Sequence, residues 1–339
     1  MGRNYNVTVV GATGMVGEEL LRILAERSFP LGNLRLIASA RSAGWKIQFR
    51  DRDIAVEALS ERTTFQKGEF VFISATDEIS RKYAPLAAQA GALAIDDSGV
   101  WRMNPEVPLV VPEINPDDVT SHNGILAIPN CSTTPVVMAL WPIHKHNPVK
   151  RFVAATYQSV SGAGRAAFEE LKRTTAASLA GEAVNPNVHR HRIAFNLIPD
   201  IGSPSKEGYT SEELKLVNET RKIMHAPDMQ IAATCVRVPV LVSHSAAVFA
   251  EFSDPISPEE FRKILSGQPG VVIEDDLTHR VYPRPYESSG KDPVFVGRIR
   301  RDLSHPNGIA FWVVGDNLRK GAALNALQIA ELLIARGHV

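Results

Sequence analysis

Cysteine is scarce in this chain: two in 339 residues, Cys131 and Cys235. Two thiols make no disulfide framework, so the fold must rest on its own cores. Charge of one sign is also missing. Lys+Arg and Asp+Glu each number 37, giving a net charge of zero. A nucleic-acid protein would usually carry a basic excess, so that class is set aside. No apolar run reaches the roughly 18–20 residues that span a bilayer. Residues 1–10 lack the charged, apolar and small-residue succession of a secretory signal. These absences lead to the expectation of a cytoplasmic globular protein with no nucleic-acid or membrane partner. At roughly 100–200 residues per domain, two domains are expected.

Positive signals begin at the N-terminus. Val7-Thr8-Val9-Val10 is a β-branched run, and Val16, Leu20, Ile23 and Leu24 follow at helical spacing. Leu34–Ala38, Phe70–Ala75 and Leu93–Ile95 read as further short strands, with a helix from about Ile79 to Ala90. Apolar strands alternating with helices imply a doubly wound parallel sheet of Rossmann type. The pattern changes near residue 128. Phe152–Val160, Ile231–Val238, Ala246–Phe252, Val294–Ile299 and Ile309–Val314 are longer strands with few helices between the later ones. They predict an α+β domain with a mostly antiparallel sheet. The expected division is a nucleotide-binding domain at 1–128, a catalytic and dimerisation domain at 129–317, and an amphipathic C-terminal helix at 318–339 that returns to the first domain.

Between the first strand and first helix lies Gly11-Ala12-Thr13-Gly14-Met15-Val16-Gly17. Glycines there let the backbone approach a pyrophosphate, which the helix N-terminus then binds through N–H groups. The same glycines could serve only a structural turn, but the strand-loop-helix context favours a dinucleotide. The second strand ends in Ala38-Ser39-Ala40-Arg41-Ser42, with no acid for a ribose hydroxyl pair. An arginine with hydroxyl neighbours suits a 2′-phosphate, so NADP is expected over NAD.

Ile128-Pro129-Asn130-Cys131-Ser132-Thr133-Thr134-Pro135 precedes an apolar run. This reads as a helix start with Cys131 just ahead of it, where a thiolate would be favoured. Read alone, Cys131 is equally well a small buried hydrophobe. Cys235, inside a strand, reads as core. His189-Arg190-His191-Arg192 shows no nearby carboxylate or cysteine partner, and its arginines repel a cation, so it reads as a solvated or interface loop and no metal is expected.

Several motifs together resemble the aspartate-β-semialdehyde dehydrogenase family. They are Asn130-Cys131-Ser132-Thr133, Tyr157-Gln158-Ser159-Val160-Ser161-Gly162-Ala163-Gly164, Asn196-Leu197-Ile198-Pro199 and Gly208-Tyr209-Thr210-Ser211-Glu212-Glu213-Leu214-Lys215. Arg237-Val238-Pro239-Val240 leading to Ser243-His244-Ser245, and Gly315-Asp316-Asn317-Leu318-Arg319-Lys320-Gly321, complete the set. The likeness runs over essentially the whole chain in family order.

That resemblance implies Cys131 as nucleophile, His244 as acid/base and Gln158 as the residue orienting substrate and thiohemiacetal. It implies Arg237 on the substrate carboxylate, Glu212 on its amino group, Arg102 and Lys215 on phosphate, and Asn130 in the substrate site. Gly11, Thr13, Gly14, Met15, Val16, Gly17, Arg41, Ser42, Ser161, Gly162 and Asn317 match cofactor positions. The implied reaction converts L-aspartate-4-semialdehyde, phosphate and NADP into L-4-aspartyl phosphate, on the route to lysine, threonine and methionine, in a homodimer. One departure is Trp101, where a smaller aromatic would be expected before Arg102. The alternatives are an N-acetyl-γ-glutamyl-phosphate reductase-like enzyme and a silent nucleotide-binding paralogue. Retained Cys131, Gln158, Arg237 and His244 argue against the second.

Arg237 and His244 are seven residues apart. On one continuous strand they would face opposite sides, so a turn within Pro239–Ser243 is required if both serve one site.

Overall fold

The computed structural model describes residues 3–339. It resolves into two compact units. One runs up to Asn130 and takes back Ala322–Val339; the other is Cys131–Gly321.

In the first unit the order is β1 (Tyr5–Val10), α1 (Met15–Glu26), β2 (Leu31–Ala38), β3 (Lys46–Phe49), β4 (Arg52–Ala58), β5 (Phe70–Ile73), α2 (Asp77–Gln89), β6 (Leu93–Asp96) and β7 (Ile125–Ala127). The sheet order is β3-β4-β2-β1-β5-β6-β7. Every pairing is parallel except β3 with β4. β5 and β6 are buried throughout, as parallel strands covered on both faces should be. Strand β1 lies between β2 and β5, so the chain departs from it first to one side and then to the other. That reversal is a topological switch point, where open α/β sheets bind ligands beyond the strand ends. The glycine loop leaves β1 there.

Ile23 and Leu24 of α1 share one core with Val9, Leu36, Phe70 and Phe72. The C-terminal helix (Leu324–Ala335) joins that core through Leu327, Ile329, Ala330 and Leu333. Asn325 donates to the Val110 carbonyl at 2.8 Å, and Arg27 pairs with Glu331 at 2.7 Å. This segment differs from the sequence expectation in two ways. It opens with a π-helical turn at Arg319–Ala323, and it is buried around most of its circumference rather than along one stripe. The β3–β4 hairpin was also not anticipated. Ile47 and Phe49, and Ile54 and Val56, alternate along its strands and turn toward the core, but the runs are short and their other residues are exposed.

The second unit contains α3 (Thr133–His144), β8 (Val149–Gln158), α4 (Arg165–Leu179), α5 (Ser211–Ile223), β9 (Gln230–Arg237), β10 (His244–Phe252), α6 (Pro258–Ser266), β11 (Val271–Ile273), the single turn α7 (Pro285–Ser288), β12 (Val294–Arg301) and β13 (Gly308–Gly315). Its sheet order is β11-β12-β13-β10-β8-β9. The three central pairings are antiparallel; the outer β8–β9 and β11–β12 pairings are parallel. Residues Thr133–Leu140 of α3 are all buried. A helix apolar on all sides is held by packing everywhere, which makes its N-terminus a rigid mounting point.

Candidate active site

Sheet register assembles the site. Gln158 closes β8 and pairs with Arg237, which closes β9. On the other side of β8, Ser245 of β10 pairs with Tyr157, so His244 lies one step further, level with Gln158. Cross-strand partners share a face. Arg237, Gln158 and His244 therefore form a row across three adjacent strands. The turn required between Arg237 and His244 is present, but the two residues end on strands separated by β8. Ser243, the last residue of that turn, has φ +75°, and its N–H donates to Asn317 Oδ1 at 2.9 Å. A left-handed serine next to His244 is a local strain that fixes how the strand begins.

Cys131 lies just before α3, with its Sγ 3.2 Å from His244 Nε2. This is hydrogen-bond reach for proton transfer between a nucleophile and a base. Gln158 Nε2 donates to Glu212 Oε1 at 3.0 Å, and Thr156 Oγ1 donates to Gln158 Oε1 at 3.0 Å. A carboxylate only accepts, so Glu212 decides which way the Gln158 amide points. Lys215 reaches the other Glu212 oxygen at 3.3 Å. Thr210 and Glu213 form a reciprocal capping box at the start of α5, and Glu213 Oε1 also accepts from the Cys235 N–H of β9. That clasp sets Glu212 and Lys215 relative to the strand carrying Arg237. Arg237 Nη1 donates to the Ser159 carbonyl at 2.7 Å. Gly162 faces both Arg237 and His244. A Cβ there would stand 3.0 Å from His244 Nε2 and 3.1 Å from Arg237 Nη1.

Burial shapes the electrostatics. His244 is pushed down to about 3, first by desolvation and then by the Arg237 charge; Glu212 and the Ser243 backbone oppose this. Its imidazole is neutral at rest. Arg237 is also lowered by burial, against the pull of Glu212, Cys131 and Cys235. Cys235 is pushed up to about 12 by burial, so it remains an inert thiol, as its place in the core implied.

In the first unit, Gly11 has φ +92°, and a Cβ there would lie 2.1 Å from the Ser74 carbonyl oxygen. One on Gly17 would lie 2.3 Å from the Gly11 oxygen. No other residue fits either place. No side chain caps α1, whose N-cap is Gly14, so the amides of Met15, Val16 and Gly17 open the helix toward an anion. Thr13 Oγ1 and Ser42 Oγ are 3.3 Å apart, and Arg41 is exposed beside them. These residues fit a dinucleotide phosphate.

The comparisons with known proteins agree with this geometry. The description "Semialdehyde dehydrogenase, NAD binding domain" matches residues 6–122, and "Semialdehyde dehydrogenase, dimerisation domain" matches residues 140–320. An aspartate-semialdehyde dehydrogenase from Synechocystis is 47% identical over 331 residues, covering 98% of each chain. One from Aquifex aeolicus is 47% identical over 339 residues, covering 99% of each. The chain belongs to the aspartate-semialdehyde dehydrogenase family. Among solved structures, aspartate semialdehyde dehydrogenase II of Vibrio cholerae, complexed with ASA, superposes with a TM-score of 0.95 at 42% identity. That match covers 98% of this chain and 99% of the other. The chain is thus an oxidoreductase with a nicotinamide-nucleotide domain and a dimerisation domain.

Of the remaining expected site residues, Arg102 and Asn130 lie in the first unit. Arg102 is buried and donates to the Asp97 carbonyl at 2.7 Å, with the Asp97 carboxylate 3.8 Å away. Ser74 holds that carboxylate at 2.9 Å. Trp101 donates its indole N–H to Ser80 Oγ, and Ser80 and Ser98 both donate to buried Asp96. Asn130 is buried at the unit's end. In the second unit Asn317 Oδ1 accepts from Ser159 Oγ, Ser161 Oγ and Ser243 N. Sequence reasoning missed Ser159, Thr156 and Ser243 as supports of the site. Thr156 could have been found from its i, i+2 relation to Gln158 on one strand face. His189 also differs from expectation, because its Nδ1 meets the Glu170 carboxylate at 2.9 Å. Among the described residues no cluster of three metal-ligating side chains occurs.

Proposed function

We propose that the chain converts L-aspartate-4-semialdehyde and inorganic phosphate reversibly into L-4-aspartyl phosphate, with NADP as hydride acceptor and Cys131 as covalent nucleophile. The observation that carries the reading is the 3.2 Å approach of Cys131 Sγ to His244 Nε2, within reach of Arg237 and Gln158.

The row suggests the order of events. Arg237 takes the substrate carboxylate by two-point hydrogen bonding, and Glu212 takes its ammonium group. Sulfur attacks the aldehyde carbon, and His244 Nε2 passes the thiol proton to the carbonyl oxygen. Gln158 holds that oxygen in the resulting thiohemiacetal. Bound nicotinamide would supply the acceptor for hydride from this carbon. His244 takes the hydroxyl proton as the carbonyl re-forms, leaving a thioester on Cys131. A phosphate oxygen then attacks the thioester carbon and gives its proton to solvent. The carbon–sulfur bond breaks, and sulfur recovers its proton from His244. Covalent catalysis thereby divides one difficult oxidation into two accessible steps. Arg102 and Lys215 are assigned to phosphate, and Asn130 to the substrate pocket. Gly11, Thr13, Gly14, Met15, Val16, Gly17, Arg41, Ser42, Ser161, Gly162 and Asn317 are assigned to the cofactor.

NADP is preferred in this reading because β2 ends without an acid and Arg41 stands exposed next to Ser42. A homodimer is supported by the outer face of the six-stranded sheet. Tyr157 and Phe249 are 38% and 40% exposed there, and Tyr157 packs on Trp312 at 5.2 Å. An apolar sheet face calls for cover. Cytoplasmic residence belongs to the same reading; no described helix is long and apolar enough to cross a membrane.

The test is absorbance at 340 nm with protein, NADP⁺, phosphate and the aspartate semialdehyde, beside the N-acetyl-glutamate semialdehyde. Phosphate-dependent reduction with the first compound only is expected. Activity with the second alone would move the chain to the other acyl-phosphate reductase reaction. Light scattering at micromolar protein should give twice the chain mass.

A further inference from the structure

Asp96 closes β6 and is fully buried, and residues 97–102 leave from it as a loop. One carboxylate secures both ends of that loop. At the near end Asp96 Oδ1 accepts from the Ser98 N–H at 2.9 Å and from Ser98 Oγ at 2.5 Å. At the far end the link runs through α2. The Trp101 indole N–H donates to Ser80 Oγ at 3.0 Å, and Ser80 Oγ donates in turn to Asp96 Oδ2. The polarity of this relay is fixed. An indole N–H only donates and a carboxylate only accepts, so the hydroxyl between them takes one hydrogen bond and gives one. Ser80 is fully buried, so no solvent replaces the indole N–H if it is lost.

Arg102 follows Trp101 directly. Its side chain folds back over the loop: Nη2 donates to the Asp97 carbonyl at 2.7 Å, and the Asp97 carboxylate accepts from Ser74 Oγ at 2.9 Å. The middle of the loop rests on the start of α2, where the Gly99 N–H donates to Asp77 Oδ1 at 3.1 Å. The loop is thus anchored at Ser98, Gly99 and Trp101, and Arg102 is 6% exposed just after them. A long side chain binds an anion best when its freedom has been removed beforehand. Of these anchors Trp101 is nearest to Arg102, and it depends on an N–H that a phenyl ring lacks.

We propose that Trp101 is a positioning residue for phosphate use: through Ser80 and Asp96, its indole N–H fixes the loop that presents the Arg102 guanidinium to phosphate. This rests on the assignment of Arg102 to phosphate.

The test compares the whole protein with Trp101→Phe, Ser80→Ala and both together. Losing one hydrogen bond should lower kcat/KM for phosphate about 3- to 10-fold. The aldehyde reacts before phosphate does, so its kcat/KM should stay within about twofold. The double variant should be no worse than Ser80→Ala alone, because both changes break one relay. Trp101→Phe carries the test by itself if Ser80→Ala fails to fold. A second measurement needs no turnover. Trypsin cuts after arginine, and cutting the Arg102–Met103 bond requires the loop to open. Trp101→Phe should release the fragment ending at Arg102 about 3- to 10-fold faster than wild type, read by mass. Wild-type phosphate kinetics in Trp101→Phe would overturn the proposal, and so would an unmoved cleavage rate. Equal losses with aldehyde and phosphate, or additive losses in a folded double variant, would overturn it as well. If Arg102→Ala leaves kcat/KM for phosphate unchanged, the phosphate assignment of Arg102 fails, and the tryptic rate alone then decides whether Trp101 holds that arginine.

Discussion

Gly321 lies so close to Cys131 that a Cβ on the glycine would stand 2.9 Å from Cys131 Cβ and 3.3 Å from its Cα. The contact comes from the π-helical turn at Arg319–Ala323, an element often found at functional sites. Asp316 holds the turn's entrance by accepting from the N–H groups of Leu318 and Arg319, and its other oxygen accepts from Gly290.

Gly321→Ala should therefore push Cys131, the proposed nucleophile, away from its 3.2 Å approach to His244. Displacements of this kind cost up to about 100-fold in rate. The expected outcome is a kcat lowered about 10- to 100-fold with the Kd for NADP unchanged, measured by steady-state kinetics and fluorescence titration. Full turnover in this variant would mean that Cys131 is not held by the turn behind it.

Arg41 is exposed, and Ser42 next to it is buried against Thr13. An arginine meets a phosphate in two-point geometry and gains little from a ribose hydroxyl. Arg41→Ala should raise KM for NADP at least tenfold and leave KM for NAD within about twofold. Equal losses with both cofactors would assign the arginine to the shared pyrophosphate instead.

The first sheet was legible because its parallel strands are buried on both faces and stand out as apolar runs between helical patterns. The hairpin β3–β4 was not: Ile47/Phe49 and Ile54/Val56 alternate, but in runs too short and too exposed on the other face to stand out. For the site, the separation of Arg237 from His244 correctly demanded a turn. It could not reveal that β8 lies between the strands they end, since pairing order is set by contacts distant in sequence. His189 shows the same limit. Its partner Glu170 lies 19 residues earlier, on α4, beyond the reach of a spacing argument.

Glu170 is 4% exposed, and its oxygens accept from the N–H groups of Asn187, Val188 and His189 and contact the His189 ring. Burial raises this carboxyl, but the hydrogen bonds outweigh it and bring it down to about 2. A depressed carboxyl stabilises the fold above its unfolded value of 4.5 and loses that contribution as pH falls toward 2. Glu170→Gln should cost roughly 2–3 kcal/mol at pH 7. The difference from wild type should shrink between about pH 4.5 and 2, followed by urea denaturation. A constant difference across that range would mean that the carboxylate's charge contributes nothing.

His244 gives the opposite kind of group and a higher pH window. Its folded value is about 3 against 6.5 for a free imidazole, so the unfolded chain binds its proton first as pH falls. Stability from the neutral buried ring is complete above 6.5 and drains away as pH drops toward 3. One proton taken up on unfolding corresponds to a slope of about 1.4 kcal/mol per pH unit. His244→Gln removes that proton and keeps a polar side chain of similar reach. Between about pH 6 and 4, wild-type unfolding free energy should fall more steeply than that of His244→Gln by about 1.4 kcal/mol per unit. Parallel curves would mean that the folded ring already carries charge in this range. The neutral resting imidazole would then fall.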